Sequence, residues 1–210
     1  MTTLIAGARP LPGDRRVLAD HLIPERVRGA IASVALVGLG AALLALTAQV
    51  RIPLPFTPVP ITGQTFGVLL VGASLGLSRG TLALLVYIAA GILGAPVFTQ
   101  GGHGAQYLLG PTGGYLVGFV VAAALLGRLA ERAADRRVLP ALAGMFAASA
   151  TIYAFGAAGL MLAKGVDLPA AVSLGVTPFV VGDLLKAALA GGLLPLAWRA
   201  VRRAERGSGI

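Results

Sequence analysis

Asp183 and Lys186 lie three residues apart in an apolar run long enough to cross a bilayer, and no other acidic or basic residue of the chain has such a setting. A charge at a bilayer centre costs roughly 2.5 to 3.5 kcal/mol on insertion scales, so two in one helix mark a polar patch lined by protein or water. A spacing of three puts both side chains on one helical face, about 4.5 Å apart along the axis. Together they can meet the donors and acceptors of a small polar solute. The plainer reading, an ion pair that lets the helix insert, is weaker because buried pairs seldom stabilise a protein more than apolar replacements do.

Other chemistries find little support. Gly72-Ala73-Ser74-Leu75-Gly76 matches the pattern of a hydrolase nucleophile elbow, but that elbow needs a strand before it, a helix after it and a histidine partner. Here it lies inside an apolar helical run, and Gly72, Gly76 and Gly80 read as a ridge for close helix packing. No Gly-Lys dipeptide occurs, which excludes a Walker A loop. Zero cysteines and only two histidines, His21 and His103, imply no metal and no other cofactor.

The helices around Asp183 and Lys186 follow from composition. With 57% hydrophobic and 12% charged residues and a mean hydropathy of +0.87, the chain reads as an all-α integral membrane protein. Apolar runs bounded by Pro, Gly or charge fall at about 30–49, 62–77, 80–95, 111–128, 138–163 and 174–198, which predicts six transmembrane helices. The second and third, near 16 residues each, are short enough to span untilted, thin the bilayer or pack inside the bundle. This frames one membrane domain over 30–200, with basic tails at 1–29 and 201–210. The N-terminal stretch lacks the pattern of a cleaved signal peptide and is expected to stay, on the opposite side of the membrane from the pocket.

Charge supports the count. Fourteen of the sixteen loop cations fall on one side of a six-helix path, with only Arg51 and Lys164 on the other. The positive-inside rule makes the basic side cytoplasmic, so both termini are inside. Trp198 at the inner end of the last run fits an interfacial anchor. The net charge of +9 is spread over four segments without interleaved aromatics, which fits topology and anionic lipid rather than nucleic acid.

Two outer loops are distinctive. Residues 50–61 carry Pro53, Pro55, Pro58 and Pro60 and read as an extracellular, apolar but non-helical lid after the first helix. Residues 96–110 are glycine-rich and contain His103, read as a solvated loop residue. Asp183, about ten residues into the last run, is expected beneath a pocket roofed by both loops.

Three blocks, Pro58-Val59-Pro60-Ile61-Thr62-Gly63-Gln64-Thr65-Phe66, Gly110-Pro111-Thr112-Gly113-Gly114-Tyr115 and Gly182-Asp183-Leu184-Leu185-Lys186, resemble the BioY family, the biotin-specific S components of energy-coupling factor transporters. They come in the family's order, and the resemblance covers 30–200. It leaves out the tail before Ala30 and departs at Gly63, where the family often has a bulkier residue.

The resemblance implies a protein of the prokaryotic cytoplasmic membrane that binds biotin outside and delivers it inward. A transmembrane coupling protein and two cytoplasmic ATPases would supply the energy. The final-helix positions Asp183 and Lys186 match the family's binding residues. On chemistry alone, Asp183 can accept a ureido N–H, and Lys186 can donate to the ureido carbonyl or pair with the carboxylate. Gln64 offers both donor and acceptor, and Tyr87 and Tyr115 could line the pocket; Tyr153 and Phe155 read as packing. Ala41 and Ala45, on a small-residue face of the first helix, are the docking candidates for the coupling protein, packing within the bundle being the alternative. Open beside this reading stand an ion-coupled secondary transporter using Asp183, an S component for another vitamin and, least favoured, an intramembrane enzyme.

Overall fold

The computed structural model of the protein describes residues 16–23 and 29–207. In chain order the elements are α1 (Leu18–Leu22), α2 (Ala30–Gln49), β1 (Arg51–Ile52), β2 (Ile61–Thr62), α3 (Gln64–Ile92), α4 (Gly113–Ala130), α5 (Val138–Lys164), α6 (Leu168–Gly175) and α7 (Val180–Gly207). Among the described residues five helices, α2, α3, α4, α5 and α7, are long and apolar enough to cross a membrane.

The sequence predicts a break in α3 at the Arg79 loop; the structure places it at Gly76, which has φ 82° and ψ 178°. That backbone region is essentially open only to glycine. The limbs before and after it run side by side in opposite directions: the Gln64 amide reaches the Tyr87 hydroxyl at 2.8 Å, and a methyl at Gly80 would lie 3.2 Å from the Gly72 Cα. The second limb starts with an orphan N–H at Leu77, which donates to Glu131 Oε1 at 3.0 Å. The glycine ridge therefore splits in function. Gly72 and Gly80 permit close approach, Gly72 also meeting the Ala123 backbone of α4, whereas Gly76 makes the turn. Ser74 lies in a groove beside α2, lined by apolar residues such as Leu36, Leu39 and Leu70.

Small residues set the helix spacing throughout. Ala83 and Leu84 of α3, Ala122 and Ala123 of α4, and Ala148 and Ile152 of α5 are wholly buried, and a methyl on Gly118 would come 3.0 Å from the Ile152 Cα. Without a hydrophobic force between helices in lipid, such close packing is what holds them together. The limb 64–75 is buried along most of its length, including Val68, Leu69, Val71 and Ala73, which fits packing inside the bundle. By contrast α2 buries only Val37, Gly40, Leu44 and Ala48. Gly63 departs from bulkier residues for a local reason: a methyl there would sit 2.9 Å from the Thr47 carbonyl of α2.

At one end of the bundle the Pro-rich excursion is closed by the β1–β2 ladder, Arg51 opposite Thr62 and Ile52 opposite Ile61. Four prolines forbid helix, and the tip is tied down by Thr57 Oγ1 donating to the Leu174 carbonyl at 2.7 Å, with Val59 buried. The 96–112 loop is anchored by Phe98, wholly buried against Gly91, edge-on to Tyr87 and stacked on Tyr107. The helix expected over 174–198 starts only at Val180, as α7; before it come a turn and α6, which begins at Leu168 and is capped by Asp167 accepting from Ala170 N at 3.0 Å.

At the other end the expected basic tails are partly structured. Val17, Leu18 and Ala19 are buried, Val17 lying against the Gly76 turn, and Asp20 pairs with Arg79 at 2.6 Å. Residues 1–15 and 24–28 of the N-terminal tail lie outside the described residues. The last helix continues to Gly207, where Glu205 meets His21 at 3.0 Å. Trp198 is not an interfacial anchor: it is 2% exposed, donates to Asp135 Oδ2 at 2.5 Å and lies under the Arg136 guanidinium. Burial raises the Asp135 carboxyl above its ordinary range, opposed by the Trp198 bond and the Arg136 charge.

Candidate substrate-binding site

Asp183 lies in the first turn of α7, not ten residues along its helix. The partial positive charge of the helix N-terminus favours its carboxylate there. It is 6% exposed. Oδ1 accepts from Thr65 Oγ1 at 2.9 Å and from Lys186 Nζ at 2.7 Å, and Oδ2 accepts from the Tyr153 hydroxyl at 2.9 Å. Lys186, one turn on, donates also to the Thr62 carbonyl at 2.7 Å and to Thr65 Oγ1 at 3.1 Å. An ammonium has three donors, and all three are engaged.

Thr62 and Thr65 reach this cluster because β2 ends beside α7 and the first turn of α3 follows at once. Gln64 points into the same space. Its amide N–H donates to Tyr87, and its carbonyl oxygen accepts from Thr99 Oγ1 at 3.1 Å. Tyr87 itself, 1% exposed, stands behind Gln64 and is absent from the wall, where a lining role was expected. Its hydroxyl also donates to the Val97 carbonyl at 3.3 Å, so it ties Gln64 to the 96–112 loop. Tyr115 lines the cavity, and its hydroxyl donates to the Gly175 carbonyl at the end of α6. Its ring is accommodated by Gly156.

One cavity gathers these groups. Its floor is Asp183, Lys186, Thr65 and Gln64; Phe119, Ile152 and Phe179 make an apolar side; Val59 and Pro60 of the Pro-rich loop and Tyr107 of the glycine loop cover it. Its empty space, mouth included, is about 540 Å³. A second, more open cavity adjoins it through Pro60, Thr99, Tyr107 and Thr112 and is bordered by His103, which is exposed and lies 3.1 Å from the Gly101 carbonyl. A polar floor under apolar walls suits a ligand with a compact hydrogen-bonding head.

Sequence reasoning brought together Asp183, Lys186, Gln64 and Tyr115 but assigned Tyr153 to packing. For Thr65 and Thr99 the sequence carries no signal beyond the place of Thr65 directly after Gln64. Phe155 is exposed, consistent with no part in the site. On α2, Ala41 and Ala45 are half-buried against the core, while Gly38 and Ala42 of the same small-residue set face outward.

The helices and the cavity make this a helical membrane protein with a pocket beneath two loops that suits a small polar-headed solute. Comparison with known proteins is specific. The model described as the BioY family matches residues 20–203, starting inside the segment that the sequence resemblance left out. A biotin transporter BioY of Thermotoga maritima is 42% identical over 153 residues, covering 73% of this chain and 88% of the relative. A biotin transporter BioY of Rhodobacter capsulatus is 41% identical over 172 residues, covering 76% and 89%, and a probable biotin transporter BioY of Pyrococcus horikoshii is 40% identical, covering 75% and 90%. The crystal structure of the S-component for biotin from an ECF-type ABC transporter shares the fold, with a TM-score of 0.73 at 23% identity over 84% of this chain and 95% of that one. The chain belongs to the BioY family.

Proposed function

We propose that the chain captures biotin as the substrate-specific subunit of an ECF-type transporter and delivers it across the prokaryotic cytoplasmic membrane. The observation that carries this reading is the Asp183 carboxylate, buried under two loops and held by Thr65, Tyr153 and Lys186, in a chain whose relatives are named biotin transporters. Oδ2 keeps a lone pair for a ureido N–H, and the second N–H of the Gln64 amide is free for the ureido carbonyl. Tyr115 and the Phe119–Ile152–Phe179 side face the apolar part of the ligand, and Tyr87 acts by positioning Gln64.

The protein is a multi-pass membrane subunit without chemistry of its own; partner ATPases supply the energy through a transmembrane coupling protein. Counting the two limbs of α3 separately, six membrane segments form one domain over 30–200. Residues 16–23, the Gly76 turn and the end of α7 meet at one end of the bundle, which is also the arginine-rich end. That end is cytoplasmic, and the Pro-rich loop is extracellular. The coupling protein docks on the sparsely covered α2, where Gly38 and Ala42 offer the outward small-residue face and Ala41 and Ala45 border it.

Calorimetric titration of the detergent-purified protein with biotin, thiamine and riboflavin tests the assignment. The expected result is biotin-selective binding that Asp183→Asn weakens by roughly 10- to 150-fold, the worth of a hydrogen bond to a charged group. A folded protein that prefers thiamine or riboflavin, or binds none of the three, overturns it.

A further inference from the structure

On the biotin reading of the same site, which derivatives it accepts follows from where the charges on its walls lie. Lys186 is the one Lys or Arg among the described residues on the wall of either adjoining cavity. Its three N–H donors are all engaged by Thr62, Thr65 and Asp183. A carboxylate placed beside it would have to displace one of those bonds and lie close to the Asp183 carboxylate. The deep end is thus unfavourable to an anion and complementary to a neutral head that donates N–H. The tail must then run toward the mouth, past Thr99, Thr112 and Tyr107, into the outer cavity bordered by Gln100, Gln106 and His103. The side chains there are neutral donors and acceptors, with the single ionisable imidazole of His103. Among the described residues, the lysine or arginine residues of this end are Arg51 and Lys164, which are exposed and line neither cavity.

We infer that this protein recognises the fused ureido ring and leaves the charge of the tail unread, so that biotin amides and esters are ligands alongside the free acid. An amide tail such as that of biocytin meets glutamine and threonine side chains as well as a carboxylate does. A carboxylate requirement, in contrast, would demand a charge-assisted partner.

The test is calorimetric competition on the purified full chain at pH 8 with biotin, biotinamide, biotin methyl ester and biocytin. Binding of the three neutral-tailed or tail-extended ligands within about 5-fold of biotin, near the worth of one neutral hydrogen bond, is the expected result. Tight biotin binding with biotinamide and the methyl ester weaker by more than about 10-fold overturns the inference and reveals a cation that reaches the tail. Failure of biotin itself to bind overturns the underlying reading of the site, and this inference with it.

Discussion

The Tyr153 hydroxyl donates to Asp183 Oδ2 at 2.9 Å, linking the middle of α5 to the first turn of α7. The bond holds the carboxylate from the side opposite Lys186. It gives a residue of α5 a place on the wall of the cavity.

Tyr153→Phe should therefore weaken biotin binding by about 5- to 30-fold, since a buried acceptor loses its partner while the ring stays. Titration calorimetry measures this, with Phe155→Leu as the comparison on the same helix. Equal affinities for parent and Tyr153→Phe would show that the bond does not hold the binding geometry.

Asp183 Oδ1 and Lys186 Nζ form an ion pair at 2.7 Å with both side chains largely covered. Lys186→Met leaves the carboxylate without its cation and should cost about 3 to 5 kcal/mol of stability. Asp183→Asn combined with Lys186→Met should be less damaging than the sum of the two, because neither charge is then stranded. Thermal unfolding in one detergent across the four proteins of the cycle gives the coupling. Simple additivity would contradict the ion pair.

Gly76→Ala should destabilise by about 1 to 3 kcal/mol, from the backbone conformation alone. The new methyl would also press on Val17, whose Cγ1 lies 3.1 Å from its position. Gly38→Ala, where nothing lies within 4 Å of the added methyl, is the control and should leave the melting temperature nearly unchanged. If both variants melt alike, the turn at Gly76 is not what separates the two limbs.

Asp135 predicts a pH dependence of stability. Its carboxyl is raised by burial in the folded protein, so the folded state holds the proton more strongly than the unfolded chain does. The stability this contributes is complete below the unfolded value, near 3.9, and is lost as pH rises through the folded value. Asp135→Asn keeps an acceptor for Trp198 and removes the titration. The melting temperature of the variant relative to the parent should thus climb as pH is raised from the acid side toward neutrality. A difference that stays flat with pH would mean that burial does not shift this carboxyl.

Much was legible before folding. Asp183 and Lys186 stand out because a charge in an apolar run is costly, so its presence already signals a site. The prolines of 50–61 exclude helix whatever surrounds them, and Gln64 is marked by its place at the end of that loop. Tyr153 was not legible: a tyrosine in an apolar helix looks the same whether it packs or bonds, and only the approach of α7 to α5 separates the two. The place of Asp183 along its helix is not readable either, because an apolar run of 174–198 does not show that α6 ends at Gly175 and a new helix starts at Val180.

Membrane insertion, the charged residues within the bundle and the segment that cannot be helical are all readable from the chain's residues alone. Each of these follows from the transfer or backbone energetics of single residues. Tertiary structure alone decided that Gly76 folds α3 back on itself, that Thr65, Tyr153 and Lys186 converge on one carboxylate, that Tyr87 supports Gln64 from behind, and that Trp198 turns inward to Asp135. Those are relations between residues 3 to 118 positions apart, set by how closely glycine and alanine let the helices approach.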